Sequence, residues 1–212
     1  GKFYTDVVVG KAIKNYDRQD LYVADKLWKD SVSKGKVAST VEKMLEKLQT
    51  DYLDMLYIHA PFEDAPWQEA IPQICDLIDQ GVVREFAVSN FNVQQMEETL
   101  SITSHPITAN QMNYNVLYKD EVDEDFKEFC HNNKITIVAY QPIKRKEVFE
   151  NEALCSIATK NKVSPAQVAI AWLISKNALP IPKSVTQKHI KDNFEAATLQ
   201  LSAEDTAILD KI

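Results

Sequence analysis

The fold is decided by the stretch from Met55-Leu56-Tyr57-Ile58-His59 to Glu85-Phe86-Ala87-Val88-Ser89. Its two ends are short, apolar on both parities and rich in β-branched and aromatic residues, as strands buried on both faces of a parallel sheet are. Between them Trp67, Ala70, Ile71, Ile74, Leu77 and Ile78 recur at three- and four-residue steps, one face of a helix, and Gly81 stops it. Strand, helix and strand in this order make a βα unit feeding a parallel neighbour.

Outward from this unit the pattern repeats. Apolar runs at 21–26, 107–112, 135–140 and 179–182 read as further strands. Val37, Val41, Met44, Leu45 and Leu48 give another helix face, and Phe126, Phe129 and Cys130 a shorter one. Ser164-Pro165-Ala166-Gln167 is a capping box opening a helix over 168–175, and Ser202 caps a last helix over 203–212. A helix over 6–15, with Asp6 as its N-cap, precedes the first strand. Strand and helix thus alternate at a spacing of ~30 residues, which predicts an α/β fold on a parallel sheet. An open doubly wound sheet and a closed barrel both satisfy the alternation. With no linker or break in composition, residues 1–212 are expected to form one domain.

Composition narrows the function. The chain has 212 residues, 45% hydrophobic and 26% charged, a soluble globular balance, and a net charge of -7 that disfavours a nucleic-acid partner. No apolar run approaches the ~18 residues of a membrane span, and residues 1–6 carry no signal pattern, so a cytoplasmic location is expected. Cys75, Cys130 and Cys155 are odd in number and widely spaced, as buried thiols in a reducing compartment are, and have no metal-ligand spacing. With only Gly1, Gly10, Gly35 and Gly81, neither a Gly-x-Gly-x-x-Gly turn nor a P-loop is possible.

The C-terminal end of each expected strand is polar: Lys26, then His59, Ser89-Asn90, Gln111-Met112-Asn113, Tyr140-Gln141 and Lys183-Ser184. Taken singly, each is as well read as a surface charge, a satisfied polar group or a packing ring. Taken in succession, they mark the rim on which α/β barrels carry their active sites.

These segments carry a resemblance to the aldo-keto reductases. The matching stretches include Leu21-Tyr22-Val23-Ala24-Asp25-Lys26-Leu27-Trp28, Asp51-Tyr52-Leu53-Asp54-Met55-Leu56-Tyr57-Ile58-His59 and Val88-Ser89-Asn90-Phe91. Further on come Asn110-Gln111-Met112-Asn113-Tyr114, Val138-Ala139-Tyr140-Gln141-Pro142 and Ile181-Pro182-Lys183-Ser184, all in the family's order. The resemblance implies a (β/α)8 TIM barrel with about six of its eight βα units in this chain, so that the domain is expected to be incomplete at its N-terminus. It implies reduction of aldehydes or ketones with a hydride from NADPH, NADH being the second choice. Lys26 and His59 match the catalytic lysine and histidine. Ser89, Asn90 and Gln111 match the nicotinamide carboxamide contacts, and Tyr140 the ring stacked under the nicotinamide. Lys183 and Ser184 match the adenosine-phosphate site, and His189, Asp192 and Asn193 the adenosine end. Trp28 and Phe62 are expected to line the pocket of a small-molecule carbonyl substrate.

The departures matter too. The family's catalytic aspartate and tyrosine fall ahead of Gly1. Tyr4 sits too close to Lys26 in sequence to match that tyrosine, and Asp25, adjacent to Lys26 on a strand, points to the opposite face. The chain alone is therefore expected to turn over slowly, and a nucleotide-binding, non-catalytic protein on the same fold is the alternative. Gln141 stands where many relatives have a small residue. Lys144-Arg145-Lys146 replaces a glycine-bearing loop and reads either as a solvated basic loop or as a pyrophosphate contact. His189 stands where an arginine is common.

Overall fold

Strands and helices alternate through the computed structural model, which describes residues 4–212. Gly1, Lys2 and Phe3, the start of the segment read for a signal pattern, lie outside the described residues. The chain divides after Asn110 into two compact units. The first holds α1 (Tyr4–Ile13), β1 (Ala24–Leu27), α2 (Val37–Leu48), β2 (Leu53–Ile58), α3 (Ala70–Asp79), β3 (Val83–Ser89) and α4 (Val93–Ile102), and β4 (Ile107–Asn113) crosses the division. The second, Gln111–Ile212, continues with α5 (Glu124–Asn132), β5 (Thr136–Tyr140), α6 (Arg145–Glu150), α7 (Glu152–Asn161), α8 (Pro165–Ser175), β6 (Leu179–Pro180), α9 (Gln187–Glu195) and α10 (Ala203–Leu209).

Strands are neighbours in chain order, β1-β2-β3-β4 in the first unit and β4-β5-β6 in the second. Pairing is parallel, with Lys26 opposite Tyr57, Ile58 opposite Val88, and Val138 opposite Leu179. All six residues of β2 are buried, as its apolar run on both parities requires. In α2 the expected face, Val37, Val41, Met44 and Leu48, is the buried one. Burial of each such side chain contributes ~1.5–3 kcal/mol.

Two devices fix the first unit. Gly10 brings α1 against the end of α2 so closely that a Cβ there would lie 2.5 Å from the Lys47 carbonyl oxygen and 2.8 Å from that of Leu48. At the N-terminal end of β2, the buried Asp54 carboxylate accepts hydrogen bonds from Arg18 Nη2 at 2.8 Å, Arg84 Nη1 at 3.0 Å and the Val23 backbone N–H at 2.8 Å. The two guanidinium groups also lie over the Tyr52 ring, each 3.9 Å from its centroid. In the second unit α8 begins with the expected capping box, Ser164 and Gln167 each bonding the other's backbone N–H. The fully buried Trp172 donates its indole N–H to Asp210 at 2.8 Å, which ties α8 to the end of α10.

Several boundaries differ from the sequence reading, each for a local reason. Residues 21–23 stay outside β1 because Leu21 closes a 3-10 turn over Arg18–Asp20 and its carbonyl accepts from Arg18. The helix read over 67–78 enters as a 3-10 turn, Trp67–Glu69, where the Ala70 N–H donates to Gln68 O and Trp67 O, and Pro72 has no N–H to give Gln68 O an α-helical bond. Strand β6 ends at Pro180: with prolines at 180 and 182, only Ile181 can donate, to Ala139 O at 3.0 Å. The last helix ends at Leu209 rather than 212. Asp6 is not an N-cap, since α1 already runs through Tyr4 and places Asp6 in its first turn. Cys75 and Cys130 are buried, whereas Cys155 is half-buried and bonds Phe149 O. Among the described residues no helix is long and apolar enough to cross a membrane.

Candidate active site

The first unit brings four of the expected site residues to neighbouring strand ends. Lys26 is the third residue of β1, and the pairing of Leu27 with Ile58 sets His59 just beyond it on β2. The His59 backbone N–H donates to Leu27 O at 3.1 Å. Ser89 closes β3, and Asn90 turns the chain there with a left-handed φ of 60°, a conformation asparagine tolerates better than most residues. The Asn90 side-chain amide then donates to His59 O at 3.2 Å and to Ser89 Oγ at 3.1 Å, so β2 and β3 are stapled at the site itself.

Burial sets the charges. The Lys26 ammonium is pulled below the usual lysine range by desolvation, partly offset by Asp25. It lies 4.9 Å from the centroid of the Tyr57 ring, whose negative face supports a cation. His59 is also lowered, first by burial and then by the Lys26 charge, so its imidazole is neutral at neutral pH. Tyr57 is a neighbour of the pair that the sequence reading did not single out. Strand parity could have found it, because it lies two residues before His59 and opposite Lys26. Its phenol, pushed up to about 12 by burial and Glu85, is not tuned to give up a proton.

Trp28 and Phe62 stand beside this cluster. The Trp28 indole meets the His59 ring edge-on at 4.6 Å and the Phe62 ring at 5.4 Å. Trp28 is 47% exposed, so these rings form an open aromatic wall rather than helix packing. Tyr4 is 72% exposed at the start of α1. Asp25 accepts the Lys26 backbone N–H at 2.7 Å through Oδ1 and is itself lifted to about 6, mainly by burial.

The second unit holds the remaining residues. Gln111 is buried on β4, and Tyr140 ends β5, its phenol raised by burial and by Glu121. Gln141 then adopts a left-handed φ of 51°, a conformation that favours glycine. Lys183 and Ser184 follow β6 but face different hollows. Lys183 lines a cavity of about 460 Å3 together with Gln141, Lys144 and Glu147. Ser184 and Asn193 line a larger, mostly apolar groove of about 740 Å3 with Ile190 and Phe194. His189, Asp192 and Asn193 lie on α9, where Asp192 is paired with Lys188 at 2.7 Å. Of the basic run after Pro142, Lys144 shares the Lys183 cavity and Lys146 pairs with Glu150, while the Arg145 side chain lies outside the described residues.

Comparison with known proteins gives one consistent result. The model of the aldo/keto reductase family matches residues 2–212. An uncharacterized oxidoreductase of Caenorhabditis elegans, ZK1290.5, is 31% identical over 95% of this chain, which spans 64% of that protein. Glyoxal reductase of Bacillus subtilis is 30% identical over 92% of this chain, which spans 68% of it. An aldo/keto reductase from Klebsiella pneumoniae, solved with NADP and acetate, superposes with a TM-score of 0.90 at 28% identity, covering 99% of this chain and 75% of its own. The chain therefore spans about two thirds to three quarters of these proteins. Their fold is shared, and it is the parallel α/β barrel class expected above.

Proposed function

The chain belongs to the aldo/keto reductase family, and from that premise we propose that it carries the nicotinamide side and half of the catalytic set of an NADP(H)-dependent reductase of aldehydes or ketones. The observation that carries the reading is the junction of Lys26, His59 and Asn90, an ammonium, a neutral imidazole and an amide at adjoining strand ends.

The side chains present fit a nicotinamide dinucleotide. Ser89 and Asn90, already bonded to one another, offer a hydroxyl and an amide to a primary carboxamide, and Gln111 offers a second amide. Tyr140 contributes an aromatic face. Lys144 and Lys183, which line one cavity, supply two ammonium groups for phosphate oxygens. This favours the pyrophosphate reading of the basic run over the solvated one. His189, Asp192 and Asn193 are assigned to the adenosine end, and Lys183 favours NADP(H) over NAD(H).

When bound, the dinucleotide supplies the hydride. The neutral His59 ring donates a hydrogen bond toward charge developing on a carbonyl oxygen. The Lys26 ammonium favours the ionised form of a nearby phenol and so eases proton delivery. Trp28 and Phe62 hold the apolar part of a small carbonyl compound. Within this chain Tyr22, Tyr57, Tyr114, Tyr118 and Tyr140 are all shifted upward, mainly by burial or by acidic neighbours, the opposite of what a proton donor needs. The 212-residue chain is accordingly expected to bind the dinucleotide and turn over slowly.

Equilibrium dialysis with NADPH and NADH, paired with a steady-state assay using glyoxal, tests the proposal. The expected result is NADPH binding that is weakened several-fold in Asn90→Ala, with little turnover. A folded chain that binds neither nucleotide overturns the reading. Robust turnover would defeat the slow-turnover reading, and its loss in Tyr4→Phe would make Tyr4 the proton donor.

A further inference from the structure

Behind β1 lies a cavity of about 120 Å3, lined by Asp6 of α1, Asp25 and Lys26 of β1, Ser31 and Thr40 among others. Two carboxylates thus border one small, half-open space, with the apolar Trp28 and Met44 in its lining. Asp25 is unevenly satisfied there: Oδ1 accepts the Lys26 backbone N–H at 2.7 Å, while Oδ2 is buried with no hydrogen-bond partner among the described residues. An ionised oxygen held away from water without a donor is costly. Burial accordingly lifts Asp25 first, and the neighbouring Asp6 charge adds to the rise, against the Lys26 backbone N–H and ammonium. Asp6 is raised by burial as well.

The charged and titratable groups that meet this pair come from three elements. Asp6 faces it from α1. Lys26 lies beside it on β1. Tyr57 and His59 reach it through Lys26 from β2. The turn after Trp28 and helix α2 present the uncharged Ser31, Thr40 and Met44. Burial acts against the Lys26 ammonium and Asp25 acts in its favour.

We propose that Asp25 is a positioning residue for Lys26: ionised, it sustains the ammonium from the back of the strand, and Asp6 across the cavity governs how readily it ionises. This rests on the reading of Lys26 as a charged partner in carbonyl reduction. Asp25 touches no reacting atom and acts through Lys26. Its protonation in mildly acid solution withdraws that support, so the two titrations are linked.

The test uses the whole chain. NMR titrations follow the Asp25 carboxyl carbon and the Lys26 ammonium in the wild type, Asp25→Asn, Asp25→Ser and Asp6→Asn, with circular dichroism to check that each is folded. Modification of Lys26 by an amine reagent, read by peptide mass spectrometry, gives an independent measure. The expected results are a lower Lys26 midpoint and several-fold faster modification in both Asp25 variants, and a lower Asp25 midpoint in Asp6→Asn. The Asp25→Ser variant keeps the test open if Asp25→Asn does not fold. A Lys26 midpoint that stays in place in the folded Asp25 variants overturns the proposal. None of these readouts needs turnover. Coupling in a chain that binds no nicotinamide nucleotide would defeat the functional reading alone, and nucleotide binding without coupling would defeat this proposal alone.

Discussion

Removing the Asp54 carboxylate should damage the first unit severely. The side chain is only 4% exposed and accepts from Arg18, Arg84 and the Val23 N–H. In Asp54→Ala the three donors lose their acceptor, and they suffer unequally. Arg84 is 53% exposed and regains water, so its share is ~1 kcal/mol or less. Arg18 is 19% exposed but keeps Thr50 Oγ1 and the carbonyl oxygens of Leu21 and Tyr52, so its loss is ~1–2 kcal/mol. The Val23 N–H, buried at the start of the β1–β2 ladder, is stranded at a cost of ~1–3 kcal/mol. Together the loss is about 2–6 kcal/mol, centred on the ~3–5 kcal/mol typical of breaking a buried ion pair from one side. Urea unfolding at neutral pH measures it as a lower midpoint with an unchanged slope. Arg18→Met should cost more than Arg84→Met, and Asp54→Asn, which keeps one acceptor oxygen, less than Asp54→Ala. A loss under ~1 kcal/mol in Asp54→Ala, or equal losses in the two arginine variants, would refute the reasoning.

Other changes probe other links. Gly10→Ala drives a methyl into backbone carbonyls of α2 that cannot swing aside, and should lower stability by ~1–3 kcal/mol in the same urea assay. Asp25 has a folded-state pKa of about 6 against an ordinary 3.8, so the folded chain holds the extra proton between these values. Its contribution is therefore present in acid and lost as pH rises through about 6. The stability difference between Asp25→Asn and wild type should move by about 2.5 kcal/mol in favour of the variant from pH 4 to pH 7.5, as read by paired urea curves. Ser164→Ala removes one half of the α8 capping box and should cost ~1 kcal/mol in thermal unfolding.

Strands were the most legible part of the chain, because a run that is apolar on both parities has few other uses. Their ends were less so, as β1 and β6 show: a 3-10 turn claims Leu21, and two prolines cut the ladder short. Helices α4, α6, α7 and α9 escaped the reading although two carry signals, and the run read as a basic loop opens α6 at Arg145. Asn92 and Gln95 form a full capping box, and Asn151 caps α7. Only α1, α8 and the last helix had been sought by their caps, and the apolar pair of α9, Ile190 and Phe194 one turn apart, is too short a stripe to mark a helix. At the site, Lys26, His59, Ser89 and Asn90 were found because polar residues ending apolar runs stand out. Tyr57 was hidden inside such a run. The sharing of one cavity by Asp6 and Asp25 joins residues far apart in sequence, and no local pattern reports it.

The three tryptophans also make the chain its own optical instrument. Trp67 and Trp172, 5% and 1% exposed, lie one in each unit and should emit at short wavelength, whereas the half-exposed Trp28 emits to the red. A Trp28→Phe chain would therefore carry one dark-sheltered fluorophore per unit, and further single replacements would time the melting of each separately. Trp28 itself, edge-on to the His59 ring, would dim as that ring gains a proton, giving the charge state of the histidine as a colour-resolved signal.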